Sequence, residues 1–283
     1  MSRFEDQVKD NLTAKNPFKA AISISETIFI LGLWVLVSRL TILYIIKPIS
    51  FTHPQKFVWE MNFATYILIF TCLLPLSCLF LWRGFVQKIN ALSIINSIGK
   101  FRLENFFLGF GISALIVIGL SSITEPDMVS KIIVRFLSLG FVNSLILLLF
   151  YIVGFSIQST FEEALFRASF VQNLRALGIH IIIAIPFSAF FFAMFHMSKQ
   201  MPSAIFFATF LMAITFSYAT WRTQGLETSM GAHIANNIII GAIFGSLDNS
   251  QSANTAIFAA LLYTIFFVSL IEIYIHFKRP KFS

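Results

Sequence analysis

An all-α, polytopic transmembrane bundle of about eight spans is the fold this sequence predicts, and three observations predict it. Of 283 residues, 57% are hydrophobic and only 12% are charged, whereas a soluble domain carries charge on about a quarter of its residues. The mean hydropathy is +0.83. Apolar runs of about twenty residues recur along the chain, each long enough to cross roughly 30 Å of hydrocarbon as a helix. None of them alternates polar and apolar residues as a transmembrane β-strand does.

The spans fall near 22–46, 61–82, 106–123, 135–160, 179–197, 203–221, 228–247 and 254–277. The residues before them, 1–21, mix Arg3, Lys9, Lys15 and Lys19 with Glu5, Asp6 and Asp10. They lack the apolar core and small-residue cleavage site of a secretory signal, so the first span is expected to stay in the mature protein. Trp59, Trp82 and Trp221 stand at span ends, where an indole prefers the headgroup layer; Trp34, inside the first span, does not fit that belt. Residues 22–277 read as a single membrane-embedded domain, followed by a basic tail over 278–283. Alternate connections and termini sum to fourteen Lys and Arg on one side against four on the other, with Arg39 and Arg135 left out as lying inside spans. This asymmetry puts both termini in the cytoplasm and the protein in the cell membrane.

Composition also removes some functions. The net charge of +7 is scattered over short connections and both ends rather than gathered on a face, so lipid headgroups and not nucleic acid are its counter-charge. The two cysteines, Cys72 and Cys78, lie in one span and point about 240° apart, which builds neither a disulfide framework nor a thiolate metal site. No GxSG serine or GxGD aspartyl signature is present, and no motif for a nucleotide, haem or flavin.

Charge inside a span is expensive, so the residues that carry chemistry make a short list. Glu26 and Glu272 lie close enough to span ends to reach headgroups, and Arg39 and Arg135 can snorkel or find a partner; these read as structural. The run Phe161-Glu162-Glu163-Ala164-Leu165-Phe166-Arg167 differs, because two adjacent carboxylates repel each other and each is desolvated. Glu163 and Arg167 share a helical face at a spacing of four and can pair. Glu162 points about 100° away and is left over, as a general base for water would be. The competing account is an interfacial ion-pair cluster. His196 ends the fifth span with Phe192 four residues before it on the same face. His233 and Asn237, again four apart, place two donors inside the seventh span, as an oxyanion site or as hydrogen-bonding glue between helices.

The order EExxxR, FxxxH and HxxxN on successive apolar helices resembles the CPBP family of intramembrane proteases, also called CAAX proteases or Abi proteins. The resemblance covers roughly residues 155–245, the expected catalytic core; the first half of the chain contributes hydropathy and no motif. It implies that Glu162 and His196 activate water, that His233 and Asn237 stabilise the tetrahedral oxyanion, and that Glu163 and Arg167 support the first motif. Family members commonly have Gly after the Arg; this chain has Ala168. The implied activity is endopeptidase cleavage of a membrane-associated protein or peptide near the cytoplasmic surface. The implied cofactor is either none or zinc, the latter held by Glu162, His196 and His233 without an HExxH sequence. Two other classes remain open: a non-catalytic bacteriocin self-immunity or membrane-complex protein, and a proton-coupled transporter, for which no internal repeat is found.

If the helix carrying Glu162 continues to Leu177 and the chain reverses at Gly178, Glu162 and His196 come to nearly the same height. Simple alternation of the eight spans, by contrast, puts Glu162 and His233 towards the cytoplasm and His196 near the opposite end. The two expectations conflict, and the structure resolves the conflict.

Overall fold

The computed structural model describes residues 3–6, 17–47, 70–124, 127–197, 202–244 and 253–278. The expected belt residue Trp59, the middle of the N-terminal segment and the end of the basic tail lie outside these. In chain order the helices are α1 (Pro17–Thr41, prolonged by a π-helical turn to Ile46), α2 (Leu73–Leu81, prolonged to Val86), α3 (Leu103–Thr124) and α4 (Met128–Leu139). They are followed by α5 (Phe141–Ala176), α6 (Ile181–Phe195), α7 (Pro202–Thr223), α8 (Glu227–Ile238, prolonged to Phe244) and α9 (Ala253–Lys278). Parts of α1, α3, α5, α7 and α9 are long and apolar enough to cross a membrane; α2 with its extension and α6 are shorter apolar helices. Helix α8 is more polar than these because it carries His233, Asn236 and Asn237.

Cross-helix pairs fix the directions. Glu104 with Lys278 and Ser113 with Tyr263 make α3 and α9 antiparallel. Thr215 with Thr264 and Arg222 with Glu272 make α7 parallel to α9. Thr220 with Ser229 and Phe216 with His233 set α8 against α7, and Ser159 with Asn237 and Glu163 with His233 set α5 against α8. One end of the bundle, here the near end, therefore gathers Arg102, Gly178, Arg222, Glu227 and Lys278.

The span expected at 135–160 is corrected. Gly140, at φ +77°, breaks the chain between α4 and α5, a conformation that a side chain would strain. Arg135 belongs to the separate helix α4, and α5 runs unbroken for 36 residues to Ala176. Gly178, at φ +85°, then makes the reversal that the sequence predicts there. Because α5 continues well beyond Glu162 before turning, His196 at the end of α6 returns to the level of Glu162. The conflict over height came from ending that span too early.

Two other expectations change. Glu26 does not reach for headgroups: it is fully buried and paired in a fork with Arg83, which is itself fully buried. Arg83 and Arg167, both counted among the cationic connections, sit inside the bundle, which trims the charge asymmetry without reversing it. Glu272 binds Arg222 and Tyr218 across the α7–α9 contact. Arg39 lies on the outside of α1, and Trp34 stays out of the interfacial belt because it packs on Phe161 and Phe195, 5.6 Å from each ring.

The closest helix contact is α3 against α8. A Cβ on Gly109 would lie 1.9 Å from the Thr228 carbonyl oxygen, and one on Gly231 would lie 2.0 Å from that of Phe106. Backbones meet here because both residues lack a side chain, the usual basis of close packing in membranes. Gly231→Ala must push the two helices apart or unfold one of them, and His233 lies two residues further along α8. The expected outcome is a loss of thermal stability of roughly 1–3 kcal/mol together with loss of activity, read by a detergent melt and a cleavage assay. A melt unchanged from wild type would show that the contact is looser than described.

Candidate active site

The three sequence motifs converge on one buried cluster. Glu162 is 1% exposed and lies on α5 at the start of the π-helical stretch Glu163–Phe170, which holds Glu163 and Arg167. Its Oε1 accepts a hydrogen bond from Gln158 Nε2 at 2.8 Å. Its Oε2 has no hydrogen-bond partner among the described residues. That oxygen lies 3.6 Å from His233 Nε2 and 3.8 Å from His196 Nε2.

Each imidazole is oriented from behind. His196 Nδ1 is 2.8 Å from the Phe192 carbonyl oxygen, which can only accept, so Nδ1 carries the proton. His233 Nδ1 is 2.8 Å from Glu163 Oε1 and donates to that carboxylate. In their neutral forms both rings then turn an Nε2 lone pair towards Glu162 Oε2. A carboxylate behind one histidine and a carbonyl behind the other fix ring orientation and tautomer, as they do for ligating and catalytic histidines.

The predicted Glu163–Arg167 pair is present, with Arg167 Nη1 3.4 Å from Glu163 Oε1 and both side chains buried. The guanidinium lies flat over Phe192, 4.0 Å from the ring centroid, and Phe192 in turn faces His196 at 4.3 Å between centroids. One aromatic ring thus supports a cation on one side and an imidazole on the other. Two carboxylates against one guanidinium leave a net negative charge, so a proton taken up by either imidazole makes the buried cluster neutral.

His233 and Asn237 do not point at a common spot. His233 is held by Glu163, while Asn237 Nδ2 donates to Ser159 Oγ at 3.2 Å and Asn237 Oδ1 accepts from Asn236. Both nevertheless line the same cavity of about 510 Å³, together with Gln158 and His196. Gln158, Ser159 and Asn236 carried no motif. Only the helical spacing of Gln158, four residues before Glu162, could have drawn attention to it.

Two buried networks brace the cluster from the near end. Arg102 forks onto Glu227, at the start of α8, and Asn96 donates to the same carboxylate. Gly225 makes room for them, since a Cβ there would meet Arg102 Nη2 at 2.1 Å. On the other flank Glu26 accepts from Arg83 and Ser169, Arg83 also donates to Gln172, and Asn173 donates to Thr27. The first network anchors the helix of His233 and the second the helix of Glu162.

Residues 142–239 match the family model described as type II CAAX prenyl endopeptidase Rce1-like. That segment runs from α5 through α8 and contains all three motifs. Over that third of the chain the match supports a CPBP/CAAX protease assignment. No curated protein and no solved structure matches the chain. In that segment the chain is similar to a CAAX-type intramembrane protease, and five of the described helices are long and apolar enough to cross a membrane.

Proposed function

We propose that this protein is an active endopeptidase that hydrolyses a peptide bond of a membrane-associated protein or peptide with water activated by Glu162 and His196. The observation that carries the reading is the Oε2 oxygen of Glu162. It is buried, without a hydrogen-bond partner among the described residues, and opposed by two imidazole nitrogens whose partner atoms are already engaged.

A water donating its two protons to Glu162 Oε2 and His196 Nε2 keeps its lone pairs for the scissile carbonyl. Gln158 holds the other oxygen of Glu162, so the carboxylate does not rotate away from that water. As the carbonyl becomes tetrahedral, its oxygen acquires negative charge. His233 enters the cycle as the imidazolium, tied to Glu163 through Nδ1, and leaves it unchanged; its Nε2–H supplies one donor, and Asn237 supplies the second by exchanging Ser159 for the oxyanion. The proton held by Glu162 or His196 then passes to the leaving amine.

A second reading has one observation in its favour: Glu162 Oε2 and the two Nε2 lone pairs are the donor types that zinc takes, with Glu163 behind His233 as an outer partner. Among the described residues no three such side chains meet as a preformed metal site. If held by Glu162, His196 and His233, such an ion would polarise the scissile carbonyl.

The test is cleavage of a quenched fluorescent peptide library by detergent-purified protein, with and without a chelator, against His196→Ala. Cleavage that survives chelation and falls by about 10²–10⁴-fold in the variant is expected. Loss on chelation with recovery on added zinc transfers the chemistry to the second reading. A wild-type protein that stays inactive when presented with lipidated and membrane-bound peptides as well would favour a binding or immunity role.

A further inference from the structure

The cavity lined by Gln158, His196 and His233, beside Glu162, is not centred on the cluster; it extends away from the cluster in one direction. Its floor is Phe192, Phe216 and His233, all buried. From there it follows α3 past Val117, Leu120 and Ser121 to Thr124, which is exposed at the last turn of that helix. Val117 and Thr124 lie about 21 Å and about 32 Å along α3 from Leu103, at 1.5 Å per residue. His233 is only about 9 Å along α8 from Glu227. Because α3 and α8 start together at the near end, joined by Arg102 and Glu227, the cavity climbs from the cluster towards the far end. Ala259 and Ala260, near the start of α9, line the same upper part, as the antiparallel course of α9 requires. Helix α6 stops at Phe195, so above His196 it no longer walls the site.

The near end is packed with buried side chains. The N-terminal turn Phe4–Asp6 folds back into it, with Phe4 1% exposed in the same apolar core as Phe161 and Phe166. The Phe4 amide donates to Gln224 Oε1 at 2.9 Å, its carbonyl accepts from Gln172 Nε2 at 2.8 Å, and Asp6 accepts from Arg175 at 2.7 Å. Below the cluster lie the Glu26–Arg83–Gln172 network and the Asn96–Arg102–Glu227 network.

We infer that water and substrate enter the catalytic chamber from the face of the membrane opposite the N-terminal turn and the end of α9, which is the exoplasmic face. The side follows from charge: Arg102, Arg175, Arg222 and Lys278 gather at the near end, and cationic ends face the cytoplasm. The site therefore takes a peptide segment presented at the outer surface, in place of the cytoplasmic cut expected from span counting. Calling the occupant a peptide rests on the proteolytic reading; the direction of entry does not.

Substituted-cysteine labelling tests the direction without an activity assay. In a Cys72→Ala, Cys78→Ala background, Asn236→Cys reports the chamber, Thr124→Cys its mouth and Glu104→Cys the near end. Intact cells are treated with a membrane-impermeant, charged maleimide, then opened and treated again. Asn236→Cys and Thr124→Cys are expected to react in intact cells, and Glu104→Cys only after opening. Labelling of Asn236→Cys from the same side as Glu104→Cys, or from neither side, overturns the proposed entry. Chamber and near end labelling from opposite sides, but with the chamber reached only in opened cells, overturns the exoplasmic assignment. An inactive protein that gives the expected labelling overturns the proteolytic reading and leaves the route of entry standing.

Discussion

Glu162→Gln is expected to lower cleavage by about 10²–10⁴-fold and to leave the bundle folded. Glutamine keeps the volume of the side chain and an oxygen for Gln158 to bond, yet it offers no base to water. The same change also takes away a buried carboxylate oxygen that has no hydrogen-bond partner among the described residues, so the melting temperature stays level or rises. Glu163→Gln has the opposite balance. Glu163 faces Arg167 at 3.4 Å and holds His233 Nδ1 at 2.8 Å, and its loss takes from a buried guanidinium its paired carboxylate, at about 3–5 kcal/mol. Activity and melting temperature measured on the same two preparations separate the roles. If Glu162→Gln were to melt well below wild type while Glu163→Gln did not, the assignment of base and brace would have to be exchanged.

Arg83→Met is expected to be the most destabilising change away from the site, by about 3–5 kcal/mol. Arg83 is fully buried, forked onto an equally buried Glu26 at 2.8 and 2.9 Å, and bonded to Gln172. Removing the guanidinium strands a carboxylate whose remaining partners among the described residues are Ser169 and Asn173. The double variant Glu26→Met, Arg83→Met removes both charges and should recover much of the loss, because apolar side chains can replace a buried ion pair at small cost. A detergent melt of the two single variants and the double decides it. Single variants within about 1 kcal/mol of wild type, the range of an exposed pair, would mean that water reaches this pair.

Both predictions depend on contacts of very different sequence separation. The spacing of Glu163 and Arg167 announces their pairing, since four residues on a helix is one face wherever the helix lies. Glu26 and Arg83 are 57 residues apart, and no local period connects them. Read along the chain, one is a carboxylate near a span end and the other a cation in a connection. Only the packing of α1 against α2 turns them into a buried pair. The same holds for Arg102 and Glu227, which meet across 125 residues and appear in no motif.

Hydropathy and local spacing by themselves determined that the chain is a membrane helix bundle. They also determined which three polar motifs stand out from it, and that the chain turns at Gly178. Those features are legible because solvent class and helical periodicity act residue by residue, and a left-handed turn needs a glycine where it occurs. Tertiary structure decided that α5 runs on to Ala176, which lifts His196 to the level of Glu162, and that Glu163 orients His233. It also decided that Asn237 rests on Ser159, that Phe4 is buried at the near end, and that the cavity extends to Thr124. These depend on helix directions, on backbone approach at Gly109 and Gly231, and on partners far apart in the chain. A one-dimensional pattern does not contain those distances.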